Sequence, residues 1–116
     1  MKTSDPERDN RITMEVIVDC YSEDEEAMGW YYYLQDIIDF PFKARCVAAR
    51  AVSPLKVGNE VTVLGMAPEE ECERGEMFVF IRHGKHKQAV PLIQLQPLDA
   101  DPKTVEAVGD WHYWAG

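Results

Sequence analysis

Apolar positions change their spacing once along this chain, near residue 42. In residues 23–39, Ala27, Tyr31, Leu34 and Ile38 recur at steps of three and four, and Met28, Trp30 and Ile37 widen the stripe. That period predicts an amphipathic helix. Glu25, Gly29, Tyr32, Asp36 and Asp39 fall on its other side. Ser22 followed by Glu25 forms an S-x-x-E capping box that starts the helix. Phe40-Pro41-Phe42 stops it, because a residue before proline resists the α conformation. Upstream, Ile12, Glu15, Val16 and Asp19 follow a helical spacing, while Met14, Val16 and Val18 alternate as in a strand. That stretch is ambiguous by pattern alone.

Beyond residue 42 the period shortens. Residues 44–52 read as a first strand. Ser53-Pro54 and Gly58-Asn59 then flank a loop that ends in a turn. Residues 60–66 alternate around Val61 and Val63. Residues 67–75, APEEECERG, form an acidic loop. Residues 77–82 and 88–92 are two strands joined by a hairpin turn, His83-Gly84-Lys85-His86. Pro91 marks the end of that ladder or an edge, and residues 93–98 form a short strand or turn. Asp101-Pro102 opens a last helix reaching about residue 108, with proline in its first turn. The tail Asp110-Trp111-His112-Tyr113-Trp114 is too aromatic to float free and is expected to pack on the rest. Residues 1–10 are polar and expected to fray. Helices followed by strands and a final helix define an α+β class. About five short antiparallel strands with tight turns predict a small barrel.

Length and charge narrow the functional classes. The 116 residues predict one domain with a real core. Its parts are a helical part at 11–39, a barrel at 42–98 and a helix with aromatic tail at 102–116. Net charge is −9, which argues against nucleic-acid backbones and anionic membranes as partners. Cys20, Cys46 and Cys72 form no CxxC pair, so a reducing, cytoplasmic setting is expected. No apolar run approaches transmembrane length. The acids are unevenly placed. Residues 12–42 carry eight acids and no Lys or Arg.

The stretch DCYSEDEEAMGWYYYLQDIIDFPFKARC resembles the signature of the cyanobacterial-type calcium-binding protein family, CcbP-like. SPLKVGNEVTV, MFVFI, AVPLIQLQPL and DWHYW extend the resemblance over nearly the whole chain. The resemblance implies an N-terminal helical part, a small SH3-like β-barrel, and Ca²⁺ held by acidic side chains outside any EF-hand. It also favours a helix over residues 11–20.

Candidate ligands follow from the acid clusters themselves. Asp36 and Asp39 are three apart and share a face near the helix C-terminus, where the dipole opposes negative charge. No capping explanation covers them. The acidic loop and its edge, with Glu69, Glu70, Glu71, Glu73 and Glu76, is the best supplier of further carboxylates. Ca²⁺ wants six to eight oxygens, so two segments plus carbonyls and water are needed. A second candidate is Asp19 with Glu23 and Glu26, for which helix-start chemistry is a sufficient explanation. Two separate solvated acid patches are the bland alternative. A transition-metal site from Cys46, Cys72, His83, His86 and His112 lacks the close ligand pairs that zinc uses. No nucleophile elbow, P-loop or HExxH helix appears.

The sequence therefore points to a non-enzymatic, non-EF-hand Ca²⁺-binding protein, a cytosolic buffer or sensor. It is expected to be monomeric, with an unidentified protein partner as an open option. The rival is an acidic SH3-like interaction module without metal.

Overall fold

The computed structural model describes residues 4–116. In chain order it forms α1 (Pro6–Arg11), a π-helical turn (Ile12–Val16), α2 (Glu23–Ile37), β1 (Phe42–Cys46), β2 (Glu60–Met66) and α3 (Glu69–Cys72). β3 (Phe78–His83), β4 (His86–Pro91), a 3-10 turn (Leu92–Gln94), β5 (Leu95–Leu98) and α4 (Pro102–Ala115) follow. The α+β class is as expected.

The polar start is not frayed over residues 6–11. Asp5 caps α1 by accepting the Arg8 N–H at 3.1 Å, and Pro6 stands in the first helical turn. The first three positions of that expectation lie outside the described residues. The helix expected over 11–20 is instead the π-helical turn, which buries Ile12 and Val16 and leaves Met14 and Val18 exposed. Asp19 closes it in a left-handed conformation, φ 59°. Ser22 then caps α2, accepting from Glu25 N at 3.2 Å, while Glu25 Oε2 accepts from Tyr21 N at 2.8 Å. The capping box thus forms one residue out of its usual register, reaching past the cap to Tyr21. α2 buries Ala27, Trp30, Tyr31 and Leu34, most of the predicted stripe.

The strands build one antiparallel sheet in the order β4-β3-β2-β1-β5. This corrects the expected SH3-like barrel, because β4 and β5 lie at opposite ends of the sheet and are not paired with each other. The first strand is also shorter than predicted, ending at Cys46. Five residues cannot curl far around a barrel axis, and helices cover the inner face instead. Phe42, Ala44 and Cys46 of β1, Val61 and Val63 of β2, Val79 and Ile81 of β3, and Val90 of β4 share one buried cluster with Trp30, Leu34 and Trp111. Alternate residues of the same strands point to the outer face.

The aromatic tail is the end of α4, not a separate tail. Asp101 caps this helix, accepting from Lys103 N and Thr104 N, and it runs to Ala115. It continues past residue 108 because Trp111, only 2% exposed, packs edge-on against Trp30 at 5.1 Å. That contact rivets α4 to α2.

α4 is also tied to the N-terminus. The Asp110 side chain is fully buried and sits between two arginines. Arg11 donates to it from Nε at 2.8 Å and Nη2 at 2.7 Å, a bidentate fork. Arg8 Nε lies 2.9 Å away, an ion pair without the alignment of a hydrogen bond. Tyr33 Oη adds a longer bond at 3.3 Å. Burial first, and Asp110 next, push the Tyr33 phenol up to about 12 against the opposing pull of Arg11. Asp110 raises the already basic Arg11 guanidinium further, chiefly through the side-chain hydrogen bond.

Burial pushes the His112 imidazole below its usual 6.5, against the smaller opposing pull of the Leu95 and Leu92 backbone. Its Nε2 is buried without a partner. The native state therefore refuses a proton that the unfolded chain accepts. The His112 contribution to stability is complete above about pH 6.5 and is lost as pH falls toward the lowered native value. We predict that denaturant midpoints drop between about pH 7 and about pH 5, and that His112→Gln flattens much of this drop. A parent and variant with parallel pH profiles would refute it.

Candidate metal centre

α3 is the acidic stretch expected as a loop. Three acids in its first turn suit a helix N-terminus, and Cys72 buries its inner side. α3 packs against α2, so the two acidic segments share one surface. Two local features define how they meet.

At the N-terminal end of α2, Glu23, Asp24 and Glu26 line a hollow of about 380 Å³ together with Glu73, Arg74 and Gly75. Trp30 and Trp114 also line it. Four carboxylates from two segments thus face one space, with Arg74 as the lining cation. One and a half turns along α2, the exposed Tyr32 Oη donates to Glu69 Oε1 at 2.5 Å. That bond, ahead of slight burial, raises the Tyr32 phenol above its ordinary value. Asp36, one turn beyond Tyr32, lines a second depression with Glu15, Gly29, Tyr32 and Tyr33. No basic residue lies in the last turn of α2, so Asp36 is as uncompensated there as its position predicted.

Asp39 goes elsewhere. Its N–H donates to Thr104 Oγ1 at 2.9 Å, and it lines a third depression with Asp99, Asp101 and Lys43. Asp101 is occupied as the α4 cap and accepts the Thr104 hydroxyl. Asp36 and Asp39 therefore open onto different depressions, although the sequence set them three residues apart. The reason is the helix end. α2 stops at Ile37, Ile38 is extended, and Asp39 has turned off the helix face. Glu70 and Glu71 are exposed on α3, and Asp19 is exposed in the turn before α2. Glu76 is held by Arg50 through two hydrogen bonds and is neutralised.

Glu73 belongs to the acidic stretch singled out from sequence, but its meeting with Glu23 and Glu26 was not foreseen. Glu69 and Glu73 are four apart, a spacing that would have assigned them to one side of a helix had α3 been recognised. Glu15, Asp99 and Asp101 carried no sequence signal for a shared depression.

Among the described residues, no three or more Asp, Glu, His or Cys side chains converge closely enough to hold a metal ion as they stand. The donor chemistry nevertheless fits a hard cation: carboxylate oxygens, an exposed glycine turn and few bases. The cysteines lie apart from it in chemistry, with Cys46 and Cys72 buried and no disulfide formed.

An α+β fold with an acid surface of this kind defines a candidate cation-binding protein. Residues 10–115 match the model of the CcbP family, described as calcium binding, and the chain belongs to that calcium-binding protein family. The fold is shared with two solved structures. The crystal structure of Anabaena CcbP is 37% identical, with a TM-score of 0.86, covering 99% of this chain and 95% of that one. A calcium-binding protein in its calcium-binding form is 38% identical, with a TM-score of 0.84, covering 96% and 90%. No curated protein matches the chain. Ca²⁺ is the cofactor that this family membership supports.

Proposed function

We propose that this protein binds Ca²⁺ without catalysing a reaction, on the acid surface that α3 and the following turn make with α2. The observation that carries this reading is the hollow where Glu23, Asp24 and Glu26 meet Glu73. Calcium accepts oxygen ligands in flexible geometry, and exposed carboxylates on a helix start and a turn can close on an ion by side-chain rotation. Glu23, Asp24, Glu26 and Glu73 would hold the ion, with water and main-chain oxygen completing its shell. The bound ion would offset repulsion among these acids and join α2 to the turn after α3. The ligands would come from a helix start and a separate turn rather than from one loop, unlike an EF-hand. Exposed carboxylates of this sort suit micromolar affinity, appropriate to a buffer or sensor in a reducing compartment. No helix among the described residues is long and apolar enough to cross a membrane.

The Tyr32–Glu69 bond favours a second anchoring position, in which Asp36 and Glu69 act from adjacent turns of the same surface. Two variants separate the positions. Glu26→Gln/Glu73→Gln is expected to weaken Ca²⁺ by about tenfold, as removal of two charged ligands requires, with the apo protein equally or slightly more stable. Asp36→Asn is expected to weaken it less. Calorimetric titration with Ca²⁺ and Mg²⁺ reads both, and melts with chelator read the apo state. Parent-like affinity in the double variant would move the site to Asp36 and Glu69. A melt that does not respond to Ca²⁺ in the parent would sink the metal reading and favour an interaction module.

A further inference from the structure

The outer face of the sheet reverses the charge of the rest of the molecule. Cross-strand register aligns Lys43 of β1 with Thr62 of β2, Thr62 with Arg82 of β3, and Arg82 with Lys87 of β4. These side chains form one row across four strands, on the face opposite the buried cluster. Arg45 stands in the next row beside Glu60, 3.6 Å away. Glu60 is the one acid in the five strands. Lys85 lies in the β3–β4 turn, beyond the His83–His86 pair.

The chain has 21 acids and 12 Lys or Arg, so carboxylates to pair with these cations are abundant. Yet among the described residues Lys43, Arg82, Lys85 and Lys87 enter no ion pair. A depression of about 300 Å³ opens between Lys43, Thr62 and Arg82, with Glu60, paired with Arg45, also in its lining. At the β1 end of the row, Lys43 shares a depression with Asp39, Asp99 and Asp101. Arg82 and Lys87 therefore carry its positive centre, and charges more than about 8 Å from them are screened at physiological salt.

We propose that the outer sheet face is a docking surface for a short acidic, extended segment of a protein partner. Size and chemistry select that occupant. The row from Lys43 to Lys87 crosses three inter-strand steps, about 14 Å, the length of about four extended residues. A long polyanion would overrun it and meet the acid flanks of a protein of net charge −9. Nucleic-acid strands also stack on open aromatic rings. Here the Phe80 ring is half-buried and covered by Lys87 Nζ at 5.1 Å from its centre. The face thus offers charge, one hydroxyl and an aliphatic rim, which match carboxylates on an extended peptide. It is separate from the calcium surface and does not rest on it.

The probe is a fluorescein-labelled hexapeptide of alternating glutamate and serine, titrated at low salt with polarisation readout and amide NMR mapping. Shifts are expected at Lys43, Thr62, Arg82 and Lys87. Arg82→Glu/Lys87→Glu is expected to weaken binding by about tenfold or more through charge repulsion, and Arg82→Gln/Lys87→Gln by less. Lys103→Glu, on α4 away from this face, is expected to change nothing, and Ca²⁺ affinity is expected to be equal in all of them. Absence of peptide binding, or binding that survives both double variants, overturns the proposal. So does tighter binding of an oligothymidine of equal charge or of phosphatidylserine vesicles.

Discussion

Asp110→Ala is expected to cost the fold about 2–3 kcal/mol, because it removes the fully buried carboxylate that two partly exposed arginines share. The loss is more than that of one ion pair. Arg11 gives Asp110 a two-pronged bond, Arg8 lies 2.9 Å from it, and the carboxylate is fully buried. Removing the acid leaves Arg11 with only the half-exposed Glu106, 3.5 Å away, and Arg8 with only Asp5, 3.9 Å away, as acid partners among the described residues. The effect should be localised first at the N-terminus, since α1 is held to α4 by this cluster and by Tyr113, whose hydroxyl contacts Asp5 and Asp9. Denaturant unfolding measures the total, and hydrogen exchange at residues 6–16 shows where protection is lost. Asp110→Asn should do less damage, because it keeps acceptor capacity at the same place. A loss below about 1 kcal/mol for Asp110→Ala would show the cluster to be ordinary surface pairing.

The second large effect is expected at Gly29→Ala. In an open helix interior this change stabilises by about 1 kcal/mol. Here the added Cβ would fall 2.5 Å from the Val16 carbonyl oxygen, with Cys20 Sγ at 3.4 Å. The obstacle is main chain, so no rotamer change relieves it. The π-helical turn and α2 must move apart, and overpacking of this kind costs about 1–3 kcal/mol. The clash wins because the obstacle is main chain, with a net loss of about 1 kcal/mol once the helix preference is subtracted. Melting temperature reads the sign directly, and a more stable variant would show that the turn yields freely.

Much of the fold was legible because burial enforces period. The Ala27–Tyr31–Leu34–Ile38 stripe, the alternation of β2 and the hairpin between β3 and β4 all follow from which positions must leave water. Sheet closure was not legible. Nothing in five short alternating strands says whether their last edge meets the first or whether helices fill the gap. The stretch at 12–16 misled for a related reason. A π-helical turn satisfies both patterns at Ile12 and Val16, so period could not choose. α3 was hidden because its three glutamates look like any solvated acidic loop until Cys72 is seen to be buried.

The candidate site was half legible. Composition located the two acidic segments, and the structure packs one of them, α3, against α2. Glu73 lines one hollow with Glu23, Asp24 and Glu26 at the start of α2, while Asp39 has left the helix. A helix dipole explains why Glu23 and Asp24 can stand at that end. It does not forbid them a second role.

The open sheet leaves two strands with one side unpaired, β4 and β5, each a template on which another chain could grow. The chain guards both against such growth. β4 begins with Lys87 beside His86 and ends at Pro91, and β5 carries Pro97 within its four residues. Proline has no N–H to offer a new strand, and lysines on a rim repel identical neighbours. Newly made copies crowded at a ribosome would therefore find little purchase on one another, and the inclusion-body fraction on overexpression should rise when Pro97 and Lys87 are replaced together by valine.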